Sequence, residues 1–128
     1  MIVADASVVV DLLTGEGLAS ERLATETVAV PHLLDVEVVS AVRRQLAGGE
    51  IDRRTAAGAL ADLGDLELMR FPHLPLIGRA WELRDNVRIT DGLYVALAED
   101  LGAPLVTLDA RLAASPGLRA TIEVPGRR

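Results

Sequence analysis

The first residues of the chain, MIVADAS (residues 1–7), form a short apolar run that ends on a carboxylate. A short apolar run of this kind predicts a buried β-strand. In open α/β sheets, ligands bind at the edge formed by the carboxyl ends of the strands. The run therefore predicts a strand that places Asp5 at the ligand-binding edge of a sheet.

Short apolar segments alternate with segments of helical periodicity along the rest of the chain. The predicted strands cover residues 1–5, 27–30, 66–70, 105–108 and 121–124. The predicted helices cover residues 6–13, 18–24, 33–47, 53–63, 74–84, 91–101 and 109–114. Strands that alternate with helices predict a parallel sheet joined by right-handed crossovers and covered by helices. We therefore expect one α/β domain over residues 1–128, with a central parallel sheet of about four to five strands.

The composition narrows the class of protein. The chain has 128 residues, no cysteine and a formal net charge of −6. Disulfides and zinc–thiolate sites are therefore excluded, and broad electrostatic binding to a polyanion is disfavoured. The longest apolar run, residues 93–98, is far shorter than the ~20 residues of a membrane span, and nothing at the N-terminus resembles a signal peptide. We expect a cytoplasmic protein with no membrane contact.

The aromatic residues and histidines are few, and an apolar surface is also expected. The positive mean hydropathy of so small a chain suggests that another subunit covers part of this apolar surface. We expect Trp81 and Tyr94 in the core or in a dimer interface. His32 and His73 lie beside prolines in predicted loops, where we expect contact with solvent or a packing role.

Two further aspartates stand where they can join Asp5. Asp109 follows the fourth predicted strand, and Asp91 opens a predicted helix. Each of the three aspartates can equally be the N-cap of the helix that follows it. Taken singly, none of them requires a chemical role.

Glu37 is harder to explain as a structural residue. It lies inside the predicted helix 33–47, at the edge of its apolar face. The residues three and four positions further on are Ser40 and Ala41, so no basic side chain is placed for a helical ion pair. A carboxylate in that position is costly to desolvate unless a cation or another partner compensates it.

Taken together, the four acids indicate a metal site. Carboxylates ~4–5 Å apart repel by roughly 3–4 kcal/mol per pair at an effective dielectric of ~20. All-oxygen ligands favour a hard divalent ion such as Mg²⁺ or Mn²⁺. Such a site suits hydrolysis of a phosphodiester by metal-activated water. No Ser–His or Cys–His arrangement is evident in the sequence.

Four segments of the chain resemble the PIN-domain ribonucleases, and most of all the VapC toxins of type II toxin–antitoxin systems. The segments are IVADAS (2–7), PHLLDVEVVSA (31–41), DGLYVALA (91–98) and LVTLDARL (105–112). The likeness runs from about residue 1 to residue 114 and includes the order, the spacing and the total length.

The resemblance implies a single PIN domain and a Mg²⁺- or Mn²⁺-dependent endoribonuclease. Its catalytic metal ligands would be Asp5, Glu37, Asp91 and Asp109. Ser7 and Thr107 would be near neighbours that orient carboxylates or water. The family also implies a homodimer and a VapB-type antitoxin that blocks the site, commonly with an arginine. Contact with operator DNA would come only through the antitoxin.

The chain departs from the family pattern around Asp91. Members often carry Thr-Ala-Tyr-Asp-Ala where this chain reads RITDG over residues 88–92. The acid keeps its place, but a glycine follows it and no tyrosine precedes it. Gly92 is expected to weaken the first turn of the helix by up to roughly 1 kcal/mol relative to Ala.

Binding of RNA must be reconciled with the acidic net charge. All 13 basic residues are arginine, which suits phosphate oxygens better than lysine does. The candidate substrate-binding residues are Arg43, Arg44, Arg84 and Arg111, and each can also be an ordinary solvated surface residue. With one Phe, one Tyr and one Trp, base stacking is not the main means of recognition.

Three other functions share some of these sequence features. A phosphorylatable receiver domain has a similar length and similar strand-end acids, but it needs a lysine that this chain lacks. A catalytically silent PIN-fold protein that only binds a partner has little reason to keep all four acids. A metal-dependent phosphatase of small molecules would use the same ligands, and only its choice of substrate would separate it from a ribonuclease.

Overall fold

The N-terminal strand is the centre of a five-stranded parallel sheet in the computed structural model, which describes residues 1–126. The strands are β1 (Ile2–Ala4), β2 (Val28–Pro31), β3 (Leu68–Phe71), β4 (Leu105–Val106) and β5 (Ile122–Glu123). Their order in the sheet is β3-β2-β1-β4-β5, and every neighbouring pair is parallel. The predicted α/β class and parallel sheet are therefore confirmed, with five strands.

The central strand is apolar at every position because it is covered on both faces. Ile2, Val3 and Ala4 are each 0% exposed. Val3 aligns with Ala29 of β2 on one side and with Leu105 of β4 on the other. The chain leaves β1 next to the end of β4, so residues that follow these two strands meet at one edge of the sheet.

Seven α-helices and a short 3₁₀ turn at Leu74–Leu76 connect and flank the strands among residues 1–126. The helices are α1 (Ala6–Thr14), α2 (Ser20–Thr25), α3 (Leu33–Ala47), α4 (Arg53–Asp65), α5 (Ile77–Glu82), α6 (Ile89–Leu101) and α7 (Ala110–Ala114). No helix in this described part of the chain is long and apolar enough to cross a membrane.

Two predicted helices differ from the structure in ways that affect the site. The single helix predicted over residues 74–84 is wrong: a 3₁₀ turn precedes α5, and Pro75 lies in that turn, where its missing N–H is tolerated. The helix predicted to begin at Asp91 begins at Ile89 instead. Asp91 therefore lies in the first turn of α6 and is not its N-cap.

Of the two aromatic residues expected in the core or in an interface, only Tyr94 is buried. Tyr94 is almost completely buried in α6, as predicted. Trp81 is 58% exposed, so its placement in the core is wrong, and the possibility of an interface stays open. His32 is exposed and His73 is half-buried, and their rings pack edge to face with centroids 6.4 Å apart, so solvent contact and packing both occur.

Gly92 has a packing role that the sequence does not reveal. A Cβ atom at this position would lie 3.1 Å from both Cα and Cβ of Ala80. The glycine thus lets α6 approach α5 closely. The lower helix propensity of glycine accompanies this close packing.

Candidate active site

Asp5 lies directly after β1, where its backbone N–H still donates to the carbonyl oxygen of Val106 at 3.2 Å. The residue is only 6% exposed. Its Oδ1 accepts hydrogen bonds from the Ser7 hydroxyl at 2.5 Å and from the backbone N–H of Val8 at 3.3 Å. Its Oδ2 accepts from the Thr107 hydroxyl at 2.5 Å. Asp5 is therefore the N-cap of α1 and, at the same time, a carboxylate fixed in orientation at both oxygens.

The two hydroxyls that hold Asp5 also tie it to the segment after β4. Thr107 Oγ1 accepts a hydrogen bond from the backbone N–H of Asp109 at 3.0 Å. Ser7 Oγ accepts one from the backbone N–H of Leu108 at 3.0 Å. The expectation that Ser7 and Thr107 are near neighbours of the acids agrees with this geometry, since both touch Asp5 directly.

Burial raises the pKa of Asp5. The hydrogen bonds from Ser7, Thr107 and Val8 act against that rise, and the negative charge of Asp91 adds to it. A buried carboxylate with a raised pKa and a like charge nearby is an unfavourable arrangement for folding, and such arrangements are concentrated at functional sites.

Glu37 has a partner that its own helix does not supply. The Tyr94 hydroxyl donates a 2.6 Å hydrogen bond to Glu37 Oε1, which connects α6 to α3. Burial raises the pKa of Glu37; the Tyr94 hydrogen bond lowers it, and the charges of Asp91 and Asp5 raise it again. Burial, together with this hydrogen bond to Glu37, raises the pKa of Tyr94 far above its usual value, so the phenol stays a donor.

Asp91 makes an ion pair at the start of α6. Arg88 is the N-cap residue but caps with no side-chain hydrogen bond. Instead its Nε donates to Asp91 Oδ2 at 3.1 Å. The capping role considered for Asp91 is therefore wrong, and its carboxylate faces an arginine and the two other acids.

Asp109 keeps the capping role, as the N-cap of α7, and pairs with Arg111. Its Oδ1 accepts from the backbone N–H of Arg111 at 2.9 Å and lies 3.4 Å from Nε of the same residue. Burial would raise the pKa of Asp109, but these contacts with Arg111 hold it below its ordinary value. Asp109 and Asp91 both line a cavity of about 310 Å³ with Arg88 and Arg111.

The structure thus brings together three of the predicted acids and places the fourth beside them. The charge of Asp91 raises the pKa of both Asp5 and Glu37, and the charge of Asp5 raises that of Glu37. Asp109 shares a cavity with Asp91. Within residues 1–126, no three acidic or histidine side chains form a preassembled metal cluster. The donor chemistry nonetheless fits a hard divalent cation, since every donor is oxygen and the charges of Asp5 and Glu37 are destabilised by neighbouring acids.

The four predicted substrate-binding arginines are all exposed but differ in position. Arg44 lines a second cavity, of about 450 Å³, with Ser7 and Glu37. Arg111 lines the cavity beside Asp109. Arg43 is on the surface of α3, and the Arg84 guanidinium lies 4.6 Å from the centroid of the Trp81 ring. The geometry therefore favours Arg44 and Arg111 over Arg43 and Arg84.

Two residues of the site were not assigned to it from the sequence. Tyr94 was expected only to pack, because nothing local shows that it reaches a carboxylate 57 residues away. Arg88 is not among the arginines that the sequence analysis assigns to the substrate. A signal for Arg88 was present, since a position three residues before an acid at the start of a helix allows an ion pair.

Comparison with known proteins places this arrangement in a class. The PIN-domain family profile matches residues 2–118. The chain is 46% identical over 127 residues to ribonuclease VapC1 of Mycobacterium tuberculosis, covering 95% of this chain and 96% of the relative. It is 42% identical to ribonuclease VapC12 of the same organism, covering 97% of this chain and 98% of the relative. The chain therefore belongs to the PIN-domain family and, within it, to the VapC group.

Solved structures agree on the fold. A crystal structure from Pyrobaculum aerophilum matches with a TM-score of 0.70 at 25% identity, over 96% of this chain and 83% of the other. The VapBC2 structure from Rickettsia felis, bound to a DNA fragment from its promoter, matches with a TM-score of 0.67 at 15% identity, over 98% and 99% of the two chains.

Proposed function

We propose that this protein is the toxin of a type II toxin–antitoxin module and a metal-dependent endoribonuclease. The observation that carries the proposal is the group formed by Asp5, Glu37 and Asp91: burial raises the pKa of Asp5 and of Glu37, and the charge of Asp91 adds to both. The identity to VapC ribonucleases over nearly the whole chain supports the same activity.

The proposed metal ligands are Asp5, Glu37, Asp91 and Asp109, with Mg²⁺ or Mn²⁺ as the ion. When bound, the ion would lower the pKa of a water molecule and stabilise the leaving oxygen of the phosphodiester. Ser7 and Thr107 hold the two oxygens of Asp5 in fixed directions. Tyr94 holds one oxygen of Glu37, so the second oxygen is oriented for a ligand.

RNA is the proposed substrate, and its backbone is the proposed means of recognition. Arg44 lines one cavity with Glu37, Arg111 lines another with Asp91 and Asp109, and the two arginines would contact phosphates of the RNA. Arg43 and Arg84 would contact more distant parts of the RNA. Guanidinium groups suit this task because they donate two parallel hydrogen bonds to one phosphate.

The proposed partners are a second copy of the chain and a VapB-type antitoxin. Large apolar side chains are exposed along one side of the 3₁₀ turn and α5, at Leu74, Ile77 and Trp81. Their spacing of three and four residues places them on one face, which supports a homodimer. The antitoxin would block the site and supply the contacts to operator DNA. A complex of such subunits would act in the cytoplasm.

The proposal is tested by incubating purified, antitoxin-free protein with total RNA in Mg²⁺, in Mn²⁺ and in EDTA. We expect discrete products that require a metal and that disappear in Asp5→Asn and Asp91→Asn. Asp62→Asn, on the exposed surface of α4, is the matched control and should cut like the wild type.

Three outcomes would contradict the proposal. Cleavage that persists in EDTA or in both site variants would mean that another activity or another site is responsible. Hydrolysis of nitrophenyl phosphate without cleavage of RNA would indicate a phosphatase. A folded protein that cleaves neither substrate in either metal would indicate a protein that only binds a partner.

A further inference from the structure

We propose that Arg88 binds a phosphate of the RNA. In the absence of metal, Arg88 pairs with the Asp91 carboxylate, and a divalent cation then displaces it. The inference rests on the proposed function and adds to it an exchange at one carboxylate. Arg88 is not among the four arginines that the sequence singles out for the substrate.

The contact of Arg88 with Asp91 is a single one. Nε donates to Asp91 Oδ2 at 3.1 Å, and among the contacts within residues 1–126 this is the only hydrogen bond of the guanidinium. The side chain of Arg88 is 76% exposed, whereas that of Asp91 is 21% exposed. The arginine therefore covers a partly buried acid from the solvent side and can leave without any change in the backbone.

The other acids of the site also stabilise the positive charge of Arg88. The hydrogen bond and charge of Asp91 raise the pKa of Arg88, and the charges of Asp109 and Glu37 contribute in the same direction. In turn, Arg88 lowers the pKa of Glu37. Arg88 thus bonds to Asp91, lines one cavity with Asp91 and Asp109, and compensates part of the negative charge of the site.

A divalent cation bound by these acids would weaken the attraction between Arg88 and Asp91. The same carboxylate of Asp91 serves both the guanidinium and the proposed metal, so the two positive groups compete for it. Once displaced, Arg88 remains at the rim of the 310 Å³ cavity that Asp91, Asp109 and Arg111 line. A planar fork of N–H donors at that rim suits a phosphate oxygen pair, which is the anion that the substrate brings.

The simpler explanation is a surface ion pair between positions i and i+3 that steadies the start of α6. Such pairs contribute little to stability and are independent of any substrate. That explanation predicts no change in RNA binding when Arg88 is removed. It therefore differs from the proposal in a measurable quantity.

The experiment compares the wild type with Arg88→Ala in antitoxin-free protein. Calorimetric titration with Mn²⁺ alone should show tighter binding in Arg88→Ala, by about 3- to 10-fold, because the competing cation is gone. RNA binding is then measured by fluorescence anisotropy of a labelled mixed-sequence RNA oligonucleotide in excess Ca²⁺, with Asp5 intact in every protein, because Ca²⁺ also takes oxygen ligands but acidifies its bound water too little to drive cleavage. Here Arg88→Ala should bind about 5- to 30-fold more weakly, and the slope of log K against log salt should fall by about 0.7, the value for one lost phosphate contact on a single strand.

Two further variants serve as controls. Arg22→Ala removes an arginine that pairs with Glu26 and Glu123, which are not among the proposed ligands, and should change neither measurement. Arg88→Lys keeps the charge but not the fork, so it should leave Mn²⁺ binding close to that of the wild type and restore only part of the RNA affinity. Circular dichroism confirms that each variant is folded.

The results separate this inference from the proposed function. If the wild type binds Mn²⁺ and cleaves RNA but Arg88→Ala changes neither affinity, the exchange at Asp91 is wrong and the nuclease stands. Tighter Mn²⁺ binding with unchanged RNA binding would also overturn the proposal, because Arg88 would then be only a counter-ion. A wild type that neither binds Mn²⁺ nor cleaves RNA would overturn the proposed function itself.

Discussion

The hydroxyl of Tyr94 donates a 2.6 Å hydrogen bond to Oε1 of Glu37, a residue 57 positions earlier in the chain. The tyrosine is 1% exposed, so its ring is part of the core and only its hydroxyl reaches the site. A rigid core residue on α6 thereby fixes a carboxylate on α3. The position of Glu37 depends on how these two helices pack.

Tyr94→Phe removes this hydrogen bond and leaves the ring in place. We expect a loss of about 1.5–3 kcal/mol in the free energy of unfolding, which is typical of a hydrogen bond to a charged group. The pKa of Glu37 should rise further, since the Tyr94 hydrogen bond lowers it in the wild type. Urea denaturation and NMR titration of the Glu37 carboxyl measure the two effects.

A double-mutant cycle with Glu37→Leu, which removes the acceptor, separates the contact from other effects of the phenylalanine. If Tyr94→Phe is as harmful in the Glu37→Leu background as in the wild type, the hydroxyl does not act through Glu37.

Thr107 is a second buried group whose hydroxyl supports the site. It is 0% exposed, donates to Asp5 and accepts from the backbone N–H of Asp109. Thr107→Val keeps the shape but loses both bonds, and should destabilise the fold by about 1–3 kcal/mol and reduce RNA cleavage. Thr107→Ser keeps the hydroxyl and should lose only about 0.8 kcal/mol for the missing methyl group while cleaving RNA normally. Equal cleavage by the two variants would show that the hydroxyl does not orient Asp5.

Asp5 predicts a pH dependence of stability with a definite sign. Burial raises its pKa in the folded state, so the folded protein binds this proton more tightly than the unfolded chain does. Protonation of Asp5 therefore contributes to the free energy of unfolding. This contribution is fully present below the unfolded pKa of ~3.9 and is lost as the pH rises through the raised folded pKa. At pH 7 in EDTA the charge of Asp5 is therefore a net cost.

Asp5→Asn should consequently melt at a higher temperature than the wild type at pH 7 in EDTA. The difference should shrink as the pH falls towards 4, because the wild-type carboxyl then becomes neutral. Added Mn²⁺ should raise the melting temperature of the wild type, by an amount that follows the ratio of its concentration to Kd, and should have little effect on the variant. A variant less stable than the wild type at pH 7 would contradict this account of Asp5.

Those parts of the fold that follow from local pattern could be predicted from the sequence. The apolar residues Ile2 to Ala4 predict a buried strand, and the structure has it at the centre of the sheet. The positions of Asp5 and Asp109 follow from the same reasoning, since carboxyl ends of neighbouring parallel strands share an edge. The PIN-domain family could be predicted as well, because the order and spacing of the four motifs can be read directly from the sequence.

The parts that could not be predicted depend on contacts between distant segments. No property of residues 88–92 shows that α6 begins at Ile89, because its N-cap residue Arg88 makes no side-chain capping bond. The partner of Glu37 is invisible locally because Tyr94 comes from another helix. The exposure of Trp81 depends on which face of α5 is covered by α6.

Gly92 provides a test of close packing against intrinsic helix propensity. By propensity alone, Gly92→Ala should stabilise α6. The new Cβ would, however, lie 3.1 Å from Cα and Cβ of Ala80, and a movement of α6 away from α5 would shift Asp91, which lies on α6. We therefore expect Gly92→Ala to destabilise the protein by about 1–3 kcal/mol, as overpacking does, and to impair cleavage. The matched control is Gly58→Ala in α4, where nothing lies within 4 Å of the added Cβ, and which should stabilise by about 0.5–1 kcal/mol. Urea denaturation of both variants decides the question, because stabilisation by both would mean that the approach of α6 to α5 does not require glycine.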